Sequence, residues 1–265
     1  MNGADYRRSL ADGRRCFLDG APVTDLAAHA LLRVAVDWVA ESYDQAGGGR
    51  SALEHLPRTR DELREFSAVL LQSDTTLAST AGCFALEALV PELRADHPDV
   101  ARAIEGFLAR CRAGELRATV ARDAFRKDLR VVERRSDGLV VRGSKLAVGG
   151  AAVVHELLVL PSGREGEESL AFSIPVAARG VRIVCTSTAP REHDTRHYPF
   201  ARRYSMPEAV VLFDDVFVPS ERVLIDGDHA LAARFRESVG VWERARTAAQ
   251  LADRADLLMG LAQTV

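Results

Sequence analysis

Long apolar runs, clustered cysteines and an excess of either charge are all missing from this 265-residue sequence. No stretch approaches the roughly 18 residues of a membrane-spanning helix, so no such span is expected. The cysteines, Cys16, Cys83, Cys111 and Cys185, are far apart and form no CxxC pair. Zinc and iron–sulfur centres need several soft ligands close together, so no metal site is expected, and a disulfide scaffold is equally unsupported. Net charge is −3, with acids and arginines interspersed, so no one-signed field draws nucleic acid or an anionic membrane. The polar start, MNGADYRRSLADGRR, lacks the apolar core of a signal peptide, and a cytoplasmic protein is expected. What is present is an ordinary globular composition, 47% hydrophobic and 28% charged, long enough for one large or two modest domains.

Apolar spacing divides the chain into three parts, 1–128, 129–228 and 229–265. In the first, Thr24-Asp25 predicts the cap of a helix through LAAHALLRVAVDWVAESYD, with Leu31, Val34, Trp38 and Val39 near one face. Thr59 and Glu62 form a capping-box signature, Gly82 is expected to interrupt the following helix, and Pro91 to end the next turn. A further helix is expected over DHPDVARAIEGFLARCRAGEL. From LRVVERRSDGLVVRGSK the grammar changes to strands with a hairpin at SDG, continued by SLAFSIPV, GVRIVCTS and AVVLFDDVFVP. Residues 229–265 read as an amphipathic helix with Leu231, Phe235, Val239 and Trp242 at helical spacing.

Three segments together resemble the oxygenase family of 4-hydroxyphenylacetate 3-hydroxylases. They are YRRSLADGRRCFLDGAPVTDLAAHALLRVAVDWVAESYD, DGLVVRGSKLAVGGAAVVHELLVLP and VVLFDDVFVPSERVLIDGD. The resemblance implies an α+β, acyl-CoA-dehydrogenase-like architecture. That means an N-terminal helical domain, a middle antiparallel β domain and, here, only the first helix of a C-terminal bundle. It also implies oligomers, reduced FAD received from a separate reductase, and hydroxylation of phenols through a flavin hydroperoxide.

Against the family pattern, Cys83 stands where an arginine is expected, Val120 where a histidine is expected, Gly149 where a polar flavin contact is expected, and Ser220 where a tryptophan is expected. None of these side chains repeats the contact it replaces, since valine accepts no proton and cysteine cannot make bidentate bonds. His155 and Cys83 remain as candidate catalytic residues. Gly149 and Gly150 are the candidate cofactor-binding residues if flavin is bound. His155 and Cys83 also have bland readings, as a satisfied structural histidine and a core thiol. Glu156 matches a family acid that supports the fold. Asp214 and Asp215 are expected to accept backbone N–H groups in a bend rather than do acid–base work. His193, Asp194, His197 and Tyr198 form a polar cluster bracketed by prolines, which reads as a surface loop.

The replacements lead to an expectation of no cofactor and of a small-molecule tailoring enzyme in secondary metabolism, catalysing a flavin-independent cyclisation or isomerisation. The alternatives are an FADH2-dependent aromatic monooxygenase needing a partner chain, and a non-catalytic partner of a full-length homologue. Expected partners are a small-molecule substrate and either further copies or a longer homologue docked through the C-terminal helix.

Overall fold

A computed structural model of the protein describes residues 1–45, 57–64, 77–113, 116–122, 129–161, 169–186, 188–189, 196–199 and 201–263. Two sheets form its centre. The larger has strand order β2-β1-β8-β9-β5-β4, and the smaller has order β10-β7-β6-β3. In chain order the strands are β1 (Cys16–Leu18), β2 (Ala21–Val23), β3 (Ala118–Ala121), β4 (Arg130–Arg135), β5 (Gly138–Lys145), β6 (Glu156–Val159), β7 (Leu170–Pro175), β8 (Val181–Cys185), β9 (Ala209–Pro219) and β10 (Val223–Asp226). Pairings among β4 to β10 are antiparallel. The N-terminal region adds strands in parallel, β1 beside β8 and β3 beside β6. The β layers therefore recruit three strands, β1, β2 and β3, from residues that precede position 129.

Side-chain alternation explains the layering. On β6, Leu157 and Val159 point between the sheets, where they join Phe172, Ile174, Val211, Phe213 and Val216 in one buried cluster. Phe172 meets Phe213 edge-to-face at 6.1 Å. Leu158 and Leu160 point the other way, into a second cluster with helical residues. A strand buried on both faces loses the polar half of its pattern, which is why ELLV reads as a plain apolar run.

The helices are α1 (Gly3–Ser9), α2 (Arg33–Gln45), α3 (Leu77–Asp96), α4 (Pro98–Arg112) and α5 (His229–Ala262). Several boundaries depart from the sequence reading. Asp25 accepts from the N–H groups of Ala27 and Ala28, but it caps a turn, and α2 begins only at Arg33. The buried face of α2 is Leu32, Ala35, Val36, Val39 and Ala40. Val34 and Trp38 instead line a groove of about 220 Å³ with Arg202 and Arg203. The Thr59–Glu62 capping box is present, with Glu62 N–H donating to Thr59 Oγ1 and Thr59 N–H to Glu62 Oε2.

Neither Gly82 nor Pro91 ends a helix, since α3 runs through both. A proline inside a helix costs about 3 kcal/mol. Burial of Leu86, Leu89, Val90 and Leu93 against α4 offsets it. Gly82 is where α3 touches the sheet. A Cβ there would stand 2.7 Å from Val120 Cγ2 and 2.8 Å from Leu158 Cδ2.

Candidate functional site

The two aspartates of β9 are a structural device. Val141 pairs with Val216 and Gly143 with Phe213, so Asp214 and Asp215 together oppose Arg142 in a β-bulge. Asp215 takes the left-handed conformation, φ 51°, which a short polar side chain tolerates. The carboxylates accept from arginines and not from backbone N–H groups as expected. Arg142 grips Asp215 at 2.5 and 2.7 Å, and Arg182 reaches Asp214 at 2.7 Å. The Arg142 hydrogen bonds hold the Asp215 carboxyl below its ordinary value.

His155 lies just before β6 and is held on both ring nitrogens. The backbone N–H of Arg117 donates to Nδ1 at 2.9 Å, and Nε2 lies 2.8 Å from Ser9 Oγ. A backbone N–H can only donate, so the proton of the neutral ring is on Nε2 and goes to Ser9. Ser9 Oγ–H in turn donates to the Tyr6 carbonyl at 2.7 Å. Burial, with Arg14 and Arg117 nearby, pulls the His155 pKa down to about 4. The unfolded chain, with an ordinary histidine near pH 6.5, binds more protons between those two values. Neutral His155 therefore contributes stability that is full above about pH 6.5 and is lost as pH falls towards 4, up to about 3 kcal/mol. The check is urea unfolding at pH 7 and 4.5: the gap between wild type and His155→Gln should shrink on acidification, and an unchanged gap refutes the assignment.

The same N-terminal arm supports the turn that carries the two candidate glycines. Gly150 adopts φ 70° and opens a 3-10 turn over Ala151–Val153. Arg14, with a side chain only 3% exposed, donates from Nη1 to the carbonyls of Ala152 and Val154 at 2.7 and 2.8 Å. It also grips Asp12 from Nε and Nη2. Burial alone would raise the Asp12 carboxyl, but the bonds and charge of Arg14 outweigh it and hold it below its ordinary value. Tyr6 donates its hydroxyl to Val153 O at 2.5 Å, and burial raises its pKa. From the other side, buried Thr119 donates to Gly149 O at 2.8 Å, and a Cβ on Gly149 would lie 3.3 Å from Glu208 Oε1. Sequence reasoning missed Tyr6, Ser9, Arg14 and Thr119. No local motif could have found the first three, because their carbonyl and histidine partners lie 138 to 147 residues away.

Cys83 and Val120 are 2% and 3% exposed and belong to the cluster joining α3, α4, α5 and the small sheet. They are remote in role from the Gly149 turn, sitting in an apolar joint where Gly82 abuts Val120 and Leu158. A buried thiol and a valine make no bidentate or proton-accepting contact of the kind expected there, so this joint does not fit the polar end of a flavin site. At the Gly149–Gly150 turn, Gly150 is buried and gives its N–H to Pro207 O, while Glu208 stands beside Gly149. Glu156 is buried, paired through Oε1 with Arg222 at 3.0 Å, and its Oε2 has no protein partner. Ser220 is exposed and donates its N–H to Asp137 O. His197 and Tyr198 are exposed, while His193 and Asp194 lie outside the described residues. Among the described residues no three His, Cys, Asp or Glu side chains converge for a metal, and no helix is long and apolar enough to cross a membrane.

Comparison with known proteins places these features in a family. The family described as 4-hydroxyphenylacetate 3-hydroxylase N terminal matches residues 2–225. The oxygenase component of 4-hydroxyphenylacetate 3-monooxygenase from Geobacillus sp. (strain PA-9) is 37% identical over 120 residues, covering 43% of this chain and 24% of that protein. The FADH(2)-dependent monooxygenase TftD of Burkholderia cepacia is 24% identical over 313 aligned positions, covering 98% of this chain and 59% of TftD. The crystal structure of the oxygenase component HpaB complexed with FAD superposes with TM-score 0.74 at 22% identity, over 95% of this chain and 63% of that one. This chain thus spans less than two thirds of each. With its helical domain, double sheet and matched segment 2–225, the chain belongs to the 4-hydroxyphenylacetate 3-hydroxylase family and has the fold of its oxygenases.

Proposed function

We propose that this chain is part of the oxygenase component of a two-component, FADH2-dependent aromatic monooxygenase, and that a further polypeptide completes it. The relatives supply the reaction class, because the Geobacillus protein and TftD are monooxygenases of this kind. The need for further helical structure is carried by α5. Its first half docks through Leu231, Phe235 and Val239, whereas Leu251, Leu257, Leu258, Met259 and Leu261 are each more than half exposed. Such a run of large apolar side chains is what packing helices cover. When bound, the flavin supplies the oxygen-activating chemistry. This chain supplies the double sheet, the Gly149–Gly150 turn and the arm that braces that turn.

A second reading, a non-catalytic partner of a longer homologue, is favoured by that same joint. Flavin-independent cyclisation or isomerisation gains nothing from the relatives named above, which are monooxygenases. It rests only on the replacements expected at positions 83 and 120, and α3 packs directly on Val120 and Leu158 there through Gly82. One experiment separates the readings. The chain is titrated with FAD and assayed with reductase, NADH and 4-hydroxyphenylacetate, alone and mixed with a full-length oxygenase or its C-terminal helical segment. Flavin binding and catechol formation that need both polypeptides support the proposal. Association that leaves the homologue's own rate unchanged supports the second reading. Absence of association or flavin binding in every mixture defeats the proposal.

A further inference from the structure

Cys16 on β1 and Cys185 at the end of β8 lie on adjacent parallel strands, with Cys16 opposite Ile183 and Leu18 opposite Cys185. Residues two apart on a strand share a face, so both thiols enter the core between the sheets. They lean towards each other along the strand direction, and their Sγ atoms are 3.7 Å apart. The other two cysteines, Cys83 and Cys111, belong to the separate helical cluster.

We infer that Cys16 and Cys185 are a modification site, a dithiol that a small peroxide converts to a reversible disulfide fastening the N-terminal arm to the β core. The step balances with hydrogen peroxide as oxidant. The Cys16 thiolate attacks the O–O bond, giving a sulfenic acid and, after protonation, water. Cys185 then attacks that sulfur, the S–S bond forms, and a second water leaves. Two thiols lose two electrons and two protons, and one peroxide becomes two waters. Cys16 is assigned as the attacking group because Arg14, two residues away, favours its thiolate. Access comes through β1, which is three residues long and has only the short β2 between it and the sheet edge. Both thiols are buried, 2% and 4% exposed, so peroxide reaches them only when this short segment opens. The two-residue offset makes the bond pull against the strand register, so it is strained and readily reduced. Its consequence lies next door. Arg14, two residues before Cys16, and Tyr6 hold the 152–154 carbonyls that follow the Gly149–Gly150 turn, so oxidation locks the brace of that turn.

The test uses the full chain, purified reduced and treated with a small excess of hydrogen peroxide, then denatured, alkylated and weighed. The expected result is two alkylated thiols instead of four, a mass lower by about 2 Da before alkylation, and a Cys16–Cys185 linked peptide after digestion. A Cys83→Ser/Cys111→Ser double variant keeps the response, so folding defects at Cys16 or Cys185 do not confound it. Cys16→Ser and Cys185→Ser each abolish it. Millimolar dithiothreitol should restore four thiols without denaturant. Four free thiols after treatment, or linkage through Cys83 or Cys111, overturns the inference.

Discussion

Arg14→Ala is expected to lower the unfolding free energy by about 2–5 kcal/mol, chiefly because two interior carbonyls lose their donor at about 1–3 kcal/mol each. The substitution leaves the Asp12 carboxylate without its two guanidinium bonds and strands two carbonyls, Ala152 O and Val154 O, in the interior. Arg14→Lys should recover only part of the loss, because a single ammonium cannot span a carboxylate and both carbonyls in a fixed fork. Urea unfolding measures the total. Hydrogen exchange localises it, with the amides of 151–155 losing protection first. A loss below about 1 kcal/mol would show that the arm decorates the β core and does not brace it.

Phe235→Ala is the second large effect, about 3–5 kcal/mol. Phe235 is fully buried under α5 in the cluster shared with α3, α4 and the small sheet. Removing the ring leaves a cavity at the middle of the docking face, flanked by Leu231 and Val239. One turn further on, Trp242 meets Phe84 edge-to-face at 4.9 Å, and ion pairs Arg234–Glu92 and Arg122–Glu243 fasten the rim. Those partly exposed pairs hold α5 in register but stabilise it little. The variant should therefore show faster exchange over 231–243 and altered Trp242 emission, with the double sheet still protected. Wild-type protection along α5 would mean that its seat does not depend on this aromatic anchor. Loss of the seat also removes the platform on which the proposed second polypeptide packs, so the same variant should abolish association in the mixing experiment.

Much of the architecture was legible locally. The SDG hairpin joins β4 to β5 with Arg135 opposite Gly138, and the Leu231, Phe235, Val239 stripe is the docking face of α5. These features depend on periodicity and turn chemistry within a few residues. Gly82 and Pro91 misled for one reason. Propensity penalises both in a helix, yet packing decided the outcome, since Gly82 lets α3 sit on Val120 and Leu158 and the residues around Pro91 are buried.

By itself, the order of residues determined the family and the main run of helical and β segments. Side-chain identity and near-neighbour spacing are sufficient for each. Only tertiary structure decided what those residues do. It made Asp214–Asp215 an arginine-clamped bulge, occupied both nitrogens of His155, and brought an N-terminal arginine and a cysteine to partners 138 to 169 residues away. Contacts of that separation are set by how layers close on one another, and no local pattern encodes them.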